Sequence, residues 1–173
     1  MEDTILTKQM LNGSADALCQ IYHKFKNDML TVAMSLLCNK YAAEDCVQDV
    51  FTQFAAFPEK IQINKSIRGY LLRCVANRAK NIIKHQYIQN KYISAQSKKS
   101  AHIKSPAGRL IATEQSIKIF QAMARLPIEQ REVITLHLHG EMTFQEIALE
   151  LGYSINTIQS RYRYGIKKLR TLL

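Results

Sequence analysis

Three stretches of this chain group side chains that could do chemistry. In residues 43–51 (AEDCVQDVF), helical spacing sets Glu44, Asp45, Gln48 and Asp49 on one side and Val47, Val50 and Phe51 on the other. Carboxylates at a helix start complement the helix dipole. They also suit a docking face for a basic partner protein, where charge sets on-rate and register. In residues 64–87, Lys65, Arg68, Arg73, Arg78, Lys80 and Lys84 accompany Asn64, Ser66, Asn77, Asn81 and His85, with Tyr70 and Tyr87 interleaved. Cations for phosphates, amides for base edges and aromatic rings for stacking are what single-stranded or opened DNA requires. Core tyrosines beside lysines whose stems lie along apolar surface have the same composition. In residues 155–170, Asn156, Ser160, Arg163, Lys167 and Arg170 form one stripe, with Gln159 and Arg161 at its edges. Such a stripe reads a major groove, Arg taking guanine and Gln or Asn taking adenine while Lys meets phosphate. An amphipathic surface helix with a solvated polar face has the same pattern.

Other chemistries find less support. His23, His85, His102, His137 and His139 are scattered, and His137 and His139, two apart, point to different faces of a helix. A helical metal pair needs ligands four apart. No glycine-rich phosphate loop or nucleophile motif occurs, so neither catalysis nor a cofactor is expected. Cys19, Cys38, Cys46 and Cys74 show no CxxC pairing, and reduced, partly buried thiols are the simplest reading.

These groups must be positioned by helices. The 173 residues include only six Gly and three Pro, and 47% are apolar, which excludes whole-chain disorder and disfavours a turn-rich β fold. No apolar run approaches the roughly 20 residues of a membrane span, and residues 1–10 carry no secretory pattern, so a cytoplasmic protein without membrane insertion is expected. The net charge of +10 is uneven. Residues 1–57 hold four basic and seven acidic side chains (−3), residues 58–110 twelve and one (+11), and residues 111–173 eight and six (+2). Two basic surfaces behind an acidic segment favour a polyanion contacted at two places.

Apolar periodicity predicts helices over about 14–38, from about 41 to before Pro58, and over about 66–87. Residues 94–108, rich in Ser and Lys, read as a flexible basic linker. Helical patterning resumes at about Thr113, breaks at Leu126 and Pro127, and continues as short helices over about 129–139, 143–151 and 155–171. Thr143 and Glu146 fit a capping box, Gly152 supplies a sharp turn, and Ser154 caps the next helix. A helix-turn-helix follows from that arrangement. The expected fold is all-α, with two small helical domains on a basic tether.

The residues quoted so far resemble the extracytoplasmic-function (ECF) group of the sigma-70 family, the promoter-recognition subunits of bacterial RNA polymerase. The likeness rests on residues 43–51, on SIRGYLLRCVANRAKNIIK (66–84) and on LPIEQREVITLHLHGEMTFQEIALELGYSINTIQSRYRYGIKKLR (126–170). It implies a sigma region 2 helical bundle over 10–93, a linker over 94–112 that threads through the polymerase, and a sigma region 4 helix-turn-helix over 113–173. By the same resemblance Asp45, Gln48 and Asp49 dock on the β′ clamp helices of core polymerase, with the β flap as a second polymerase surface. Ser66, Ile67, Arg68, Asn77 and Asn81 meet the −10 promoter region and hold an unpaired base, with Arg73, Lys80 and Lys84 nearer phosphate. Asn156, Gln159, Ser160, Arg161, Arg163, Tyr164 and Lys167 read −35 duplex DNA. An anti-sigma factor occupying the same surfaces is a further implied partner. The sequence departs from the family where an Asp and an Arg are common, at Asn81 and Lys84, and where an Arg-Ala-Arg run is replaced by Tyr164, Gly165 and Ile166. Fewer guanidiniums there imply an altered −35 preference. The rival reading is a stand-alone helix-turn-helix regulator of duplex DNA, which needs neither the acidic helix nor the separate basic one; an RNA-binding module is a third.

Overall fold

The structure, a computed structural model, describes residues 2–57, 66–96 and 114–173; these form eight α-helices and no strand. In chain order they are α1 (Glu2–Leu11), α2 (Ala15–Leu37), α3 (Lys40–Ala56), α4 (Ile67–Gln96), α5 (Glu114–Ala124), α6 (Ile128–Leu138), α7 (Phe144–Leu151) and α8 (Ile155–Leu172).

Local chemistry sets the boundaries. Ser14 caps α2 by accepting a hydrogen bond from the Ala17 N–H. The chain leaves α2 through Cys38 in the left-handed region (φ 52°), and Asn39 at once caps α3 by accepting from Ala42. Two residues therefore turn α2 into α3. The apolar stripe of α2 (Ile21, Phe25, Met29, Val32, Leu36) packs against that of α4 (Leu71, Leu72, Val75, Ala79). Val47, Val50 and Phe54 of α3 close the bundle, with Leu6 and Met10 of α1 on its flank. Each large side chain so buried stabilises by about 1.5–3 kcal/mol.

In the C-terminal half α6 is central. Residues 131–136 are all buried, polar Arg131, Glu132 and Thr135 included. A helix enclosed on every side loses its polar stripe, which is why the pattern of α6 looks weak in sequence. Arg131 satisfies helix ends: its guanidinium donates to Leu36 O (2.7 Å) at the end of α2, and to Ala124 O (2.8 Å) and Leu126 O (3.2 Å) at the end of α5.

The two halves are not merely tethered. Val133, Leu136, Met142, Ile147 and Ile158 join the same hydrophobic core as the N-terminal bundle, and α2 and α4 contact α5, α6 and α7. Two elements differ from the expectation. Helix α1 was not predicted, because only Leu6 and Met10 of its apolar residues face inward. Helix α4 continues to Gln96, past the expected boundary at residue 93; the rest of the linker lies outside the described residues.

Candidate nucleic-acid and polymerase interfaces

On α3, Asp45 and Gln48 are exposed, and Asp49 is half-buried because Arg78 of α4 donates to its Oδ2 at 2.6 and 3.2 Å. Beside them α2 and α3 leave an apolar groove lined by Leu18, Tyr22, Leu30, Val47 and Phe51, with Gln48 on its rim. The Tyr22 and Phe51 rings lie 4.7 Å apart. Sequence reasoning found the carboxylates and missed the groove, because α2's half-buried residues read simply as core. The combination suits a helical protein partner that offers both cations and apolar side chains.

The −10 candidates separate. Ser66 is exposed, and its hydroxyl accepts from Gly69 N–H (3.0 Å), starting α4. Ile67 is a correction: at 2% exposure it belongs to the core and has no surface left for DNA. Asn77, Asn81 and Lys84 are exposed. Asn77 and Asn81 rim a hollow between the end of α3 and α4 that Phe54, Phe57 and Tyr70 also line. Amides around an aromatic floor are what an unstacked base requires. Phe54, which the apolar pattern of the second helix marks as inward, and Phe57 were not linked to this site by sequence, since they lie twenty or more residues from the amides they accompany.

The remaining −10 cations are engaged across the seam between the halves. Arg73 lies 3.2 Å from Glu150 of α7, and Lys80 lies 2.8 Å from Glu132 of α6; both carboxylates are buried. Arg68 bridges Asp28 of α2 (2.7 Å) and the backbone carbonyl of Gly140. Burial pushes the Glu132 carboxyl above its ordinary value, an effect opposed by Lys80 and Arg161.

The helix-turn-helix forms as its caps require. Thr143 accepts from Glu146 N–H and the Glu146 carboxylate accepts from Thr143 N–H; Gly152 turns the chain at φ 70°, and Ser154 accepts from Thr157 N–H. Behind it the rings of His137, Phe144 and Tyr162 pack together, and His137 Nδ1–H donates to Met142 O (2.8 Å). Asn156, Gln159, Arg163, Tyr164 and Lys167 are exposed on α8, and Ser160 is half-buried. Arg161 is placed otherwise. It lies on the side of buried Ile158 and Gly165, its guanidinium 4.1 Å from the Tyr153 ring centre and its Nη1 buried. The replaced Arg-Ala-Arg run is likewise mostly turned inward: Gly165 is buried and Ile166 packs on Met123, Leu126 and Ile134. Only Tyr164 of the three is open to DNA. Among the described residues no cluster of His, Cys, Asp or Glu could hold a metal, and no helix is long and apolar enough to cross a membrane.

Two family models match the chain, Sigma-70 region 2 over residues 21–87 and Sigma-70 region 4 over residues 116–169. Among curated relatives, RNA polymerase sigma factor NccH of Alcaligenes xylosoxydans xylosoxydans is 25% identical over 99% of this chain and 94% of its own length. ECF RNA polymerase sigma factor SigW of Bacillus subtilis is 26% identical over 96% and 94%. The solved structure of CnrH in complex with the cytosolic domain of CnrY superposes with a TM-score of 0.73 at 21% identity, covering 98% of this chain and 96% of that one. The sigma factor RpoE bound to the anti-sigma factor NepR, from Bartonella quintana, gives 0.65 at 22% identity over 88% and 94%.

Proposed function

The chain belongs to the sigma-70 family, in its ECF group, and we propose that it directs core RNA polymerase to promoters through three surfaces of its own. The apolar groove of α2 and α3, with Gln48 on its rim and Asp45 and Asp49 beside it, docks on the polymerase. The outer face of α8, with Asn156, Gln159, Ser160, Arg163, Tyr164 and Lys167, positions the −35 duplex. The face of α4 that carries Arg73, Asn77, Lys80, Asn81 and Lys84 engages the −10 region, with Ser66 and Arg68 at the start of that helix. Opening the duplex unstacks bases at a cost of a few kcal/mol; the hollow of Phe54, Phe57, Tyr70, Asn77 and Asn81 offsets it by receiving one of them. The work is binding and positioning, and no catalytic residue is assigned. The site of action is the cytoplasm, where the polymerase is.

One observation carries this reading. A single chain presents, on α2 and α3, an apolar groove beside the exposed carboxylates of Glu44 and Asp45 and, separately, an acid-free outer face on a capped helix-turn-helix. A stand-alone duplex-binding regulator has use only for the second. The RpoE structure is of a sigma factor bound to an anti-sigma factor, and CnrH is likewise bound to a second protein, the cytosolic domain of CnrY, which supports an anti-sigma factor as a further partner here. The test is co-elution of the purified chain with bacterial core polymerase, followed by run-off transcription from a genomic fragment library. Co-elution with new start sites is expected. Retention of duplex DNA without polymerase binding would instead make the chain an autonomous regulator.

A further inference from the structure

The outer face of α8 carries one large ring among its polar groups. Tyr164 follows Ser160 by four residues and Asn156 by eight, so helical spacing sets all three on one stripe. Tyr164 is 57% exposed. The inner side of α8 fixes it there. Ile158 and Gly165 are buried, and Ile166 packs on Met123, Leu126 and Ile134. A Cβ at Gly165 would stand 2.6 Å from Ile134 Cδ1, so α8 already lies as close to α6 as a glycine allows and cannot roll to cover the ring.

The base edges of a major groove offer hydrogen-bond donors and acceptors and one apolar group, the C5 methyl of thymine. Asn156 and Gln159, exposed in the first two turns of α8, carry the amides that pair with adenine. Tyr164 comes in the third turn, and its ring has little to offer a phosphate and most to gain from the methyl. Arg163 is held on that ring, its guanidinium carbon 5.3 Å from the Tyr164 ring centre. Stacking occupies the face of a guanidinium and leaves its N–H edge free for a phosphate oxygen. The cation and the ring therefore reach DNA as a unit, one toward the backbone and the other toward the bases.

We propose that Tyr164 selects a thymine within the −35 element by packing its ring on the C5 methyl, with Arg163, held on that ring, anchoring the adjacent phosphate. This contact rests on the −35 assignment of α8 and names a base for it. The Arg-Ala-Arg run common in the family would put a guanidinium at this position, and a guanidinium takes guanine by two hydrogen bonds. Tyrosine exchanges that guanine for thymine.

The test uses the full chain assembled with core polymerase and a promoter fragment recovered by run-off transcription. Each thymine of its −35 element, on either strand, is replaced singly by deoxyuridine, which removes the methyl and keeps every hydrogen-bonding group. Wild type should bind one such fragment about fourfold more weakly, the effect of returning one methyl to water. Tyr164→Phe should keep that discrimination. Tyr164→Ala should bind the thymine and deoxyuridine fragments alike, and Tyr164→Arg should prefer a G·C pair at the same position. Arg163→Ala should weaken binding to all the fragments by one factor and lower the salt dependence by about one ion. Indifference of wild type to every methyl, a −35 element without an A·T pair, or a methyl effect that persists in Tyr164→Ala would overturn the thymine contact. A loss confined to one base pair in Arg163→Ala would make that residue a base reader and overturn the phosphate anchor. A scrambled −35 element separates these outcomes from failure of the functional reading. If wild type loses binding on scrambling yet ignores the methyls, the −35 assignment stands and the thymine contact falls. If scrambling costs nothing, the assignment falls and the contact with it.

Discussion

At the residue scale, side chains with similar sequence signals serve different ends once packed. Asp45 is exposed, with no cation paired to it among the described ion pairs, whereas Asp49 is shared with Arg78. Asp45→Arg is therefore the cleaner probe of docking. It should abolish co-elution with core polymerase while changing stability by no more than about 0.5 kcal/mol, as usual for a free surface position; retained co-elution would remove Asp45 from the interface. Arg161 and Arg163 differ in the same way. Arg163→Ala should weaken −35-dependent transcription by about 1–3 kcal/mol in contact terms with Tm nearly unchanged. Arg161→Ala removes the stack on Tyr153 and should lower Tm first. A promoter profile altered by Arg161→Ala at constant Tm would return that residue to the DNA face. The distinction was legible in the spacing, since Arg161 lies three residues after Ile158 and four before Gly165, both of which pack inward.

At the scale of elements, close approach decides what a helix can carry. A Cβ at Gly165 would stand 2.6 Å from Ile134 Cδ1 and 3.2 Å from Gln130 Cβ, so glycine is what lets α8 lie against α6. Gly165→Val should overpack this contact by about 1–3 kcal/mol and lower the Tm of the purified chain by several degrees. An unchanged Tm would mean the two helices can separate at no cost. The caps Ser14, Asn39, Thr143 and Ser154 were each within reach of sequence reasoning in principle, because a cap acts on amides two or three residues away. Helix α1 was not, for its two inward residues make too narrow a stripe to register. Helix α6, by contrast, was expected over about 129–139 even though residues 131–136 are all buried and their charges mark no outer face.

At the scale of the whole molecule, the buried acid of α6 links proton binding to the closed arrangement. Glu132 has a folded-state pKa raised by desolvation against the attraction of Lys80 and Arg161, with Glu129 a minor like charge. A raised carboxyl pKa means that the folded chain binds this proton more readily than the unfolded chain does. Its burial therefore costs stability above the raised value, and the cost is relieved as pH falls toward the ordinary glutamate value. Wild type should gain stability relative to Glu132→Gln as pH is lowered from neutral, read by chemical denaturation of both chains in parallel. A difference independent of pH would mean that Glu132 is hydrated in solution.

Helix positions, most caps, the sign of each surface and the family are written in local spacing, because periodicity and capping depend on residues within a few positions of one another. The sigma-70 likeness could be read from the motifs for the same reason. What tertiary structure alone decided is which faces stay free. Arg73 and Lys80 read as open cations in sequence, yet their partners lie 77 and 52 positions away, across the linker. Periodicity tells how a side chain faces its own helix axis and says nothing of which other helix covers it. The groove of α2 and α3, the aromatic hollow beside Asn77, the inward turn of Arg161 and the two buried glutamates all depend on such long-range pairing.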